Sequence, residues 1–210
     1  FVSSDFNQAH PRILAHLWSI PRLCEAFEKG YDPYGMLADL LFGSRYRNAD
    51  GWGPDGFSLK RKPKLGRAYK SRMLCKTLQL ASAYHAGIAT ICDQIWSIMD
   101  DETGEPLFGD FARDDIEKLH AKLMRAEEEW EEGWQQEVSL FEKQGYLESL
   151  LFRRRSGSLK DGHITDVCNF TTLSTEADLK RRADVTFTSR VPWEYGYDAM
   201  GRLTPYGMCI

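Results

Sequence analysis

The chain has 210 residues and a formal net charge of −4, from 27 lysines and arginines against 31 aspartates and glutamates. At 42% hydrophobic and 28% charged residues it has the composition of one or two ordinary globular domains. The acidic balance speaks against a generally basic nucleic-acid binder, no run of about 18 apolar residues offers a membrane span, and no signal peptide is visible. The five cysteines (Cys24, Cys75, Cys92, Cys168, Cys209) are odd in number and lack CxxC spacing, so reduced thiols in a cytoplasmic protein are expected.

Residues 1–6 read as a short strand ending at Asp5-Phe6. A carboxylate at a strand end is held rigidly, as a metal ligand must be; a turn residue or a helix cap is the other reading of Asp5. Pro11 suits the first turn of a helix with Ile13, Leu14 and Leu17 on its apolar side. A second helix, 21–29, stops at Gly30. Asp32-Pro33 starts a third, with Met36, Leu37, Leu40 and Leu41 inward and Gly43 closing it. Residues 44–66, with four glycines and two prolines, form a long loop whose basic end runs from Lys60 to Lys64.

The central segment, 72–84, reads RMLCKTLQLASAY. As a helix it sets Arg72, Lys76, Leu80 and Tyr84 one turn apart along one broad face. Two cations at this spacing repel, and a polyphosphate between them would remove that cost. The same face also reads as the solvated basic end of an amphipathic helix. After a break at 85–87, residues 88–99 form another helix and 100–110 an acidic turn. Asp114-Asp115 caps a long helix to about Lys143, with a solvated acidic face at 127–132 and Trp130 and Trp134 packed inward. Residues 145–152 alternate like a strand and lead into Arg153-Arg154-Arg155, suited to phosphate contact. A turn at 157–162, a helix at 169–190, a Gly-rich turn at 195–203 and a strand at 204–210 follow. Both ends look cut, so a piece of a longer chain is expected. His163 and Cys168 match no zinc spacing and are read as surface or core residues.

Four of these segments, in this order, resemble family A DNA polymerases, the group of bacterial DNA polymerase I and many phage replicases. Asp5-Phe6-Asn7-Gln8-Ala9-His10-Pro11-Arg12 with its Leu14-Ala15-His16 tail is similar to motif A, DYSQIELR. Arg72, Lys76, Leu80 and Tyr84 resemble motif B, RxxxKxxx(F/Y)xxxYG. Gly145-Tyr146-Leu147-Glu148 through Arg153-Arg154-Arg155 resembles GYVETLxGRRR. Asn169 to Leu179 resembles NxPxQGTAADL.

The resemblance implies template-directed DNA synthesis: transfer of a nucleotide from a dNTP to a primer 3′-hydroxyl with two Mg²⁺ ions. It implies that Asp5, with the Phe6 carbonyl, holds metal. It implies that Arg72 and Lys76 hold the triphosphate, Lys76 also protonating pyrophosphate, and that Gln8, His10, Tyr34, Leu80 and Tyr84 border the nucleotide. Arg153, Arg154, Asn169 and Thr175 would meet primer–template DNA. The expected fold is α+β and helix-rich: a palm of a small antiparallel sheet with helices, at 1–45 and 166–210, and helical fingers at 46–165. The first and last strands should be neighbours. A monomer with DNA and dNTPs as partners and no membrane contact is expected.

The departures from the motifs are specific. His10 stands where motif A has a glutamate that blocks a 2′-hydroxyl, Leu80 where motif B has an aromatic, and Tyr34 where a phosphate-contacting histidine is common. His85 and Leu173 replace a glycine and a glutamine. Motif C, with the second metal aspartate, is absent, and 203–210 resembles the strand that leads into it; a fragment without motif C, thumb or exonuclease domain is expected to be inactive alone. A non-catalytic DNA-binding relic, or half of a split polymerase, is the alternative reading.

Overall fold

The computed structural model describes residues 7–43, 66–100, 103–157, 164–190, 194–197 and 203–206. Eight helices and two antiparallel hairpins lie within them, the helix-rich α+β class expected from the sequence. Helix α1 (Ala9–Trp18) buries Ile13, Leu14 and Trp18 and carries Pro11 in its first turn. Helix α2 (Pro21–Glu28) opens on Pro21, whose missing N–H is not needed there. Helix α3 (Pro33–Phe42) is capped by Asp32, whose carboxylate accepts from Gly35 N at 3.2 Å.

The long α4 (Gly66–Ala83) begins six residues before the central segment read from sequence and joins two cores. On one side Leu74 and Leu78 pack with Leu37 and Leu41 of α3, Ile91 and Ile95 of α5 (Ile88–Trp96), and Ile116 and Leu123 of α6 (Arg113–Ala126). Each such fully buried aliphatic side chain is worth about 1.5–3 kcal/mol. On the other side Ala83 joins Leu14, Trp18, Ile20 and Leu23 with Trp130 and Trp134 of α7 (Glu129–Gln144). The two tryptophans of α7 are thus packed inward, as expected. Strands β1 (Tyr146–Glu148) and β2 (Arg154–Ser156) form one hairpin, packed on α8 (Ile164–Arg190) through Leu147, Phe141 and Val167. Strands β3 (Glu194–Tyr197) and β4 (Leu203–Tyr206) form the other.

Four expectations are corrected. The single long helix to Lys143 is two helices, α6 and α7. The break is at Glu127 (φ −135°, ψ 73°), and its cause is chemical. Glu127 is 2% exposed, not part of a solvated face. Its carboxylate accepts from the Arg22 guanidinium and, at 2.5 Å, from Trp130 Nε1. A buried carboxylate needs such partners, and Arg22 reaches it from α2. Glu128, Glu131 and Glu132 do face solvent. Second, 145–152 is not one strand but β1 and a turn, with the arginines in and beside β2. Third, part of the expected Gly-rich turn at 195–203 is strand β3. Fourth, the helix read as 169–190 begins at Ile164.

The strand at 1–6, the loop at 44–65 and the end of the chain at 207–210 lie outside the described residues, and with them the pairing expected between the first and last strands. No described helix is long and apolar enough to cross a membrane.

Candidate functional site

Where α1, α3, α4 and α8 meet, a cleft of about 380 Å³ opens. The α4 face supplies Arg72, Lys76 and Leu80, the start of α1 supplies Gln8 and His10, and Tyr34, Glu176 and Lys180 complete the lining. Six positions named from sequence for the nucleotide are therefore brought together by three separate helices. Tyr84, also named for the nucleotide, and Asn169, named for primer–template DNA, lie just beyond, in a hollow of about 390 Å³ with Leu173 and His85. Asn169 Nδ2 donates to the Tyr84 carbonyl at 3.4 Å and so ties α8 to the end of α4.

The two cations of α4 differ in their surroundings. Arg72 is clamped by Asp32: Nε donates to Oδ2 at 2.8 Å and Nη2 to Oδ1 at 3.2 Å. Gln8 Nε2 donates to the same Oδ1 at 2.6 Å. With Gly35 N, this gives the fully buried Asp32 four hydrogen bonds. The Arg72 guanidinium also lies 5.2 Å from the Tyr34 ring centroid. A bidentate carboxylate on an arginine fixes its plane, so Arg72 presents its remaining N–H groups in a set direction. One turn further on, Lys76 has no ion-pair partner among the described residues. A lysine lining a concave site attracts anions.

Beyond the two cations of α4 the site holds Leu80, His10 and Tyr84 beside the paired Glu176 and Lys180. His10 meets Tyr84 edge-on, with centroids 5.5 Å apart at 88°. His10 Nε2 stands 2.5 Å from Glu176 Oε2, and Glu176 Oε1 takes Lys180 Nζ at 2.7 Å. Burial, reinforced by the Glu176 charge and then Tyr34, pushes the Tyr84 phenol well above its ordinary pKa. Burial and then Asp32 do the same for Tyr34. Both phenols stay neutral, able to donate as well as accept.

The other named residues sit elsewhere. Thr175 is 1% exposed, and its Oγ1 accepts from Leu150 N at 3.2 Å, an internal role that anchors the β1–β2 hairpin to α8. Arg153 pairs with Asp178, and Arg154 Nε donates to Glu148 Oε2 at 2.6 Å. Both arginines face solvent on the hairpin, outside the cleft. Asp5 and Phe6 lie outside the described residues. Among the described residues no three metal-ligating side chains come together. The two carboxylates that border the cleft are already engaged, Asp32 by Arg72, Gln8 and Gly35, and Glu176 by His10 and Lys180. The described donors alone do not make an Mg²⁺ site.

Asp32 and Glu176 are the functional neighbours that sequence reasoning missed. Asp32 carried a signal only as a helix cap, and its partner Arg72 is 40 residues away. Glu176 carried none as a partner of His10, because 166 positions separate them.

No family model matches the chain. Over 42 residues, 20% of the chain, it is 45% identical to a DNA polymerase I of Rhizobium leguminosarum, of which the match covers 4%. Among solved structures it is similar to the POL domain of Pol1 from M. smegmatis in complex with DNA primer-template and dNTP. The TM-score is 0.63 at 17% identity, covering 95% of this chain and 32% of that one. The chain has the fold of part of a Pol I polymerase domain. It spans about a third of the matched structure's length.

Proposed function

We propose that this chain is the nucleotide-binding part of a family A DNA polymerase and that its cleft takes a dNTP. One observation carries the reading. Arg72 and Lys76, one turn apart on α4, enter the same cleft as Gln8 and His10 of α1, on a polymerase fold. The triphosphate would lie against Arg72 and Lys76, and the sugar and base against Leu80, His10 and Tyr84. At about 1.5 Å of rise per residue, Lys76 to Tyr84 spans about 12 Å, enough for the sugar and base of one nucleotide. A unit charge about 4 Å from Lys76 gains roughly 4 kcal/mol at an effective dielectric constant of about 20.

In the proposed reaction the primer 3′-hydroxyl releases its proton to solvent and its oxygen attacks the α-phosphorus as the bond to the β-phosphate oxygen breaks. Pyrophosphate leaves with that electron pair. Arg72 orients the phosphates and offsets their charge, and Lys76 Nζ is placed to give the leaving oxygen a proton. Asp5 and the Phe6 carbonyl would hold Mg²⁺, which would offset the charge of the reacting phosphates. Primer–template DNA as partner, palm segments at 1–45 and 166–210, fingers at 46–165 and a cytoplasmic location complete the reading. The likeness to a DNA- and dNTP-bound POL domain supports DNA as the partner.

The test is a titration of the chain with a fluorescent dNTP, beside Lys76→Ala. Saturable binding that weakens about tenfold or more in the variant supports the reading. Binding of DNA without any binding of dNTP would favour the non-catalytic alternative.

A further inference from the structure

Phe152 stands 80% exposed at the tip of the β1–β2 hairpin with φ 67°. That left-handed backbone is strained for a residue with a Cβ, and so open a ring gains nothing from burial. The turn nevertheless leaves it little choice. Ser149 Oγ accepts from Leu151 N at 3.3 Å and Arg153 N at 3.1 Å, and donates to Asp178 Oδ2 at 2.9 Å. Phe152 N donates to the Ser149 carbonyl at 3.0 Å, and Ser149 N to the Arg153 carbonyl at 2.8 Å. Leu150 N is bound to Thr175 on α8 at 3.2 Å. A strained residue held by so many bonds with its ring 80% exposed is arranged for presentation.

Its surroundings indicate to what. Arg153, Arg154 and Arg155 follow directly, with side chains 42%, 66% and 45% exposed. Arg153 is held by Asp178, whose side chain is only 11% exposed, but Arg154 and Arg155 pair at the surface with Glu148 and Asp166, and exposed pairs of this kind are weak enough to yield to phosphate. The tip is moored to α8 at Thr175 and Asp178, the residues flanking Glu176 of the cleft by one and two positions. A lone ring beside Leu150 is too small an apolar surface for a stable protein interface. A ring followed by guanidinium groups is what a nucleic-acid strand meets well: a π face for the base and donors for its phosphates.

Resting on the polymerase reading above, we propose that Phe152 is a stacking platform for an unpaired base of single-stranded DNA, with Arg154 and Arg155 holding the phosphates beside that base.

The test uses a single-stranded oligonucleotide carrying 2-aminopurine, a blunt duplex and a fluorescent dNTP, with wild type, Phe152→Gly and Phe152→Trp. The wild type should quench 2-aminopurine. Phe152→Gly should bind the single strand about tenfold more weakly. Its melting temperature should hold or rise, since glycine adopts this φ freely. Phe152→Trp should keep the quenching. Duplex and dNTP binding should be unchanged in both variants. Single-strand binding by Phe152→Gly equal to wild type would overturn the proposal, while duplex and dNTP binding left the polymerase reading standing. No binding of DNA or dNTP by the wild type would remove both. A change confined to self-association, read by sedimentation, would make the tip a contact between copies of the chain and likewise overturn it.

Discussion

His10 and Glu176 lie on different helices, and their side chains meet at 2.5 Å at the edge of the cleft, beside Tyr84. By resemblance, position 10 is where a glutamate would face the nucleotide sugar. Here an imidazole stands there, and the carboxylate reaches it from α8. On the dNTP reading proposed above, Glu176 would set which edge of His10 faces the sugar.

Glu176→Gln should loosen that setting while leaving the phosphate end intact. The expected result is a loss of about tenfold in the preference for dNTP over rNTP, the scale of one hydrogen bond to a charged group. Triphosphate affinity should not fall, since the variant removes a negative charge from the cleft. Parallel dNTP and rNTP titrations measure both.

The two cations of α4 should separate binding from folding. Arg72→Ala leaves Asp32 buried with its charge uncompensated, which costs about 3–5 kcal/mol of stability. Lys76→Ala breaks no described ion pair and should leave the denaturation midpoint nearly unchanged while weakening dNTP binding. Chemical denaturation of both variants checks this. Equal stability losses would contradict the assigned surroundings.

Glu137 gives the fold a pH dependence. Burial pushes its carboxyl up to about 7 from the usual 4.5, against the opposing hydrogen bonds of Thr171 and Trp18. The folded chain then holds a proton that the unfolded chain has released. Its contribution is full below about pH 4.5 and is lost as pH rises through about 7, amounting to about 3 kcal/mol. Glu137→Gln should flatten the fall in stability over that window relative to wild type, read as melting temperature against pH.

Gly133 is required by contact rather than conformation. A Cβ there would lie 2.6 Å from Trp18 Cγ, where α7 crosses α1. Gly133→Ala should therefore destabilise the chain by about 1–3 kcal/mol through overpacking, read by thermal denaturation.

Much of this was legible in sequence because it is local. Arg72, Lys76, Leu80 and Tyr84 are related by helix periodicity alone, and Pro21, Asp32 and Pro33 announce their helix starts. What was not legible depends on distant partners. Glu127 sits in a run of acids and looks solvated, yet Arg22, 105 residues earlier, draws it inside and splits the helix. Thr175 looks like a polar surface residue, yet its hydroxyl is needed by Leu150. The hairpin at 146–156 was hidden because its turn is set by Ser149 side-chain bonds and a left-handed Phe152, not by glycine or proline. The pairing of His10 with Glu176 is a tertiary fact with no local trace.

The most direct measurement is the position of a bound nucleotide: a crystal structure of the chain with a non-hydrolysable dNTP. The polymerase account predicts phosphates within hydrogen-bond reach of Lys76 Nζ and the Arg72 guanidinium, and the sugar between Leu80 and His10. A nucleotide bound elsewhere, or an empty cleft at concentrations that saturate the chain in solution, would contradict it.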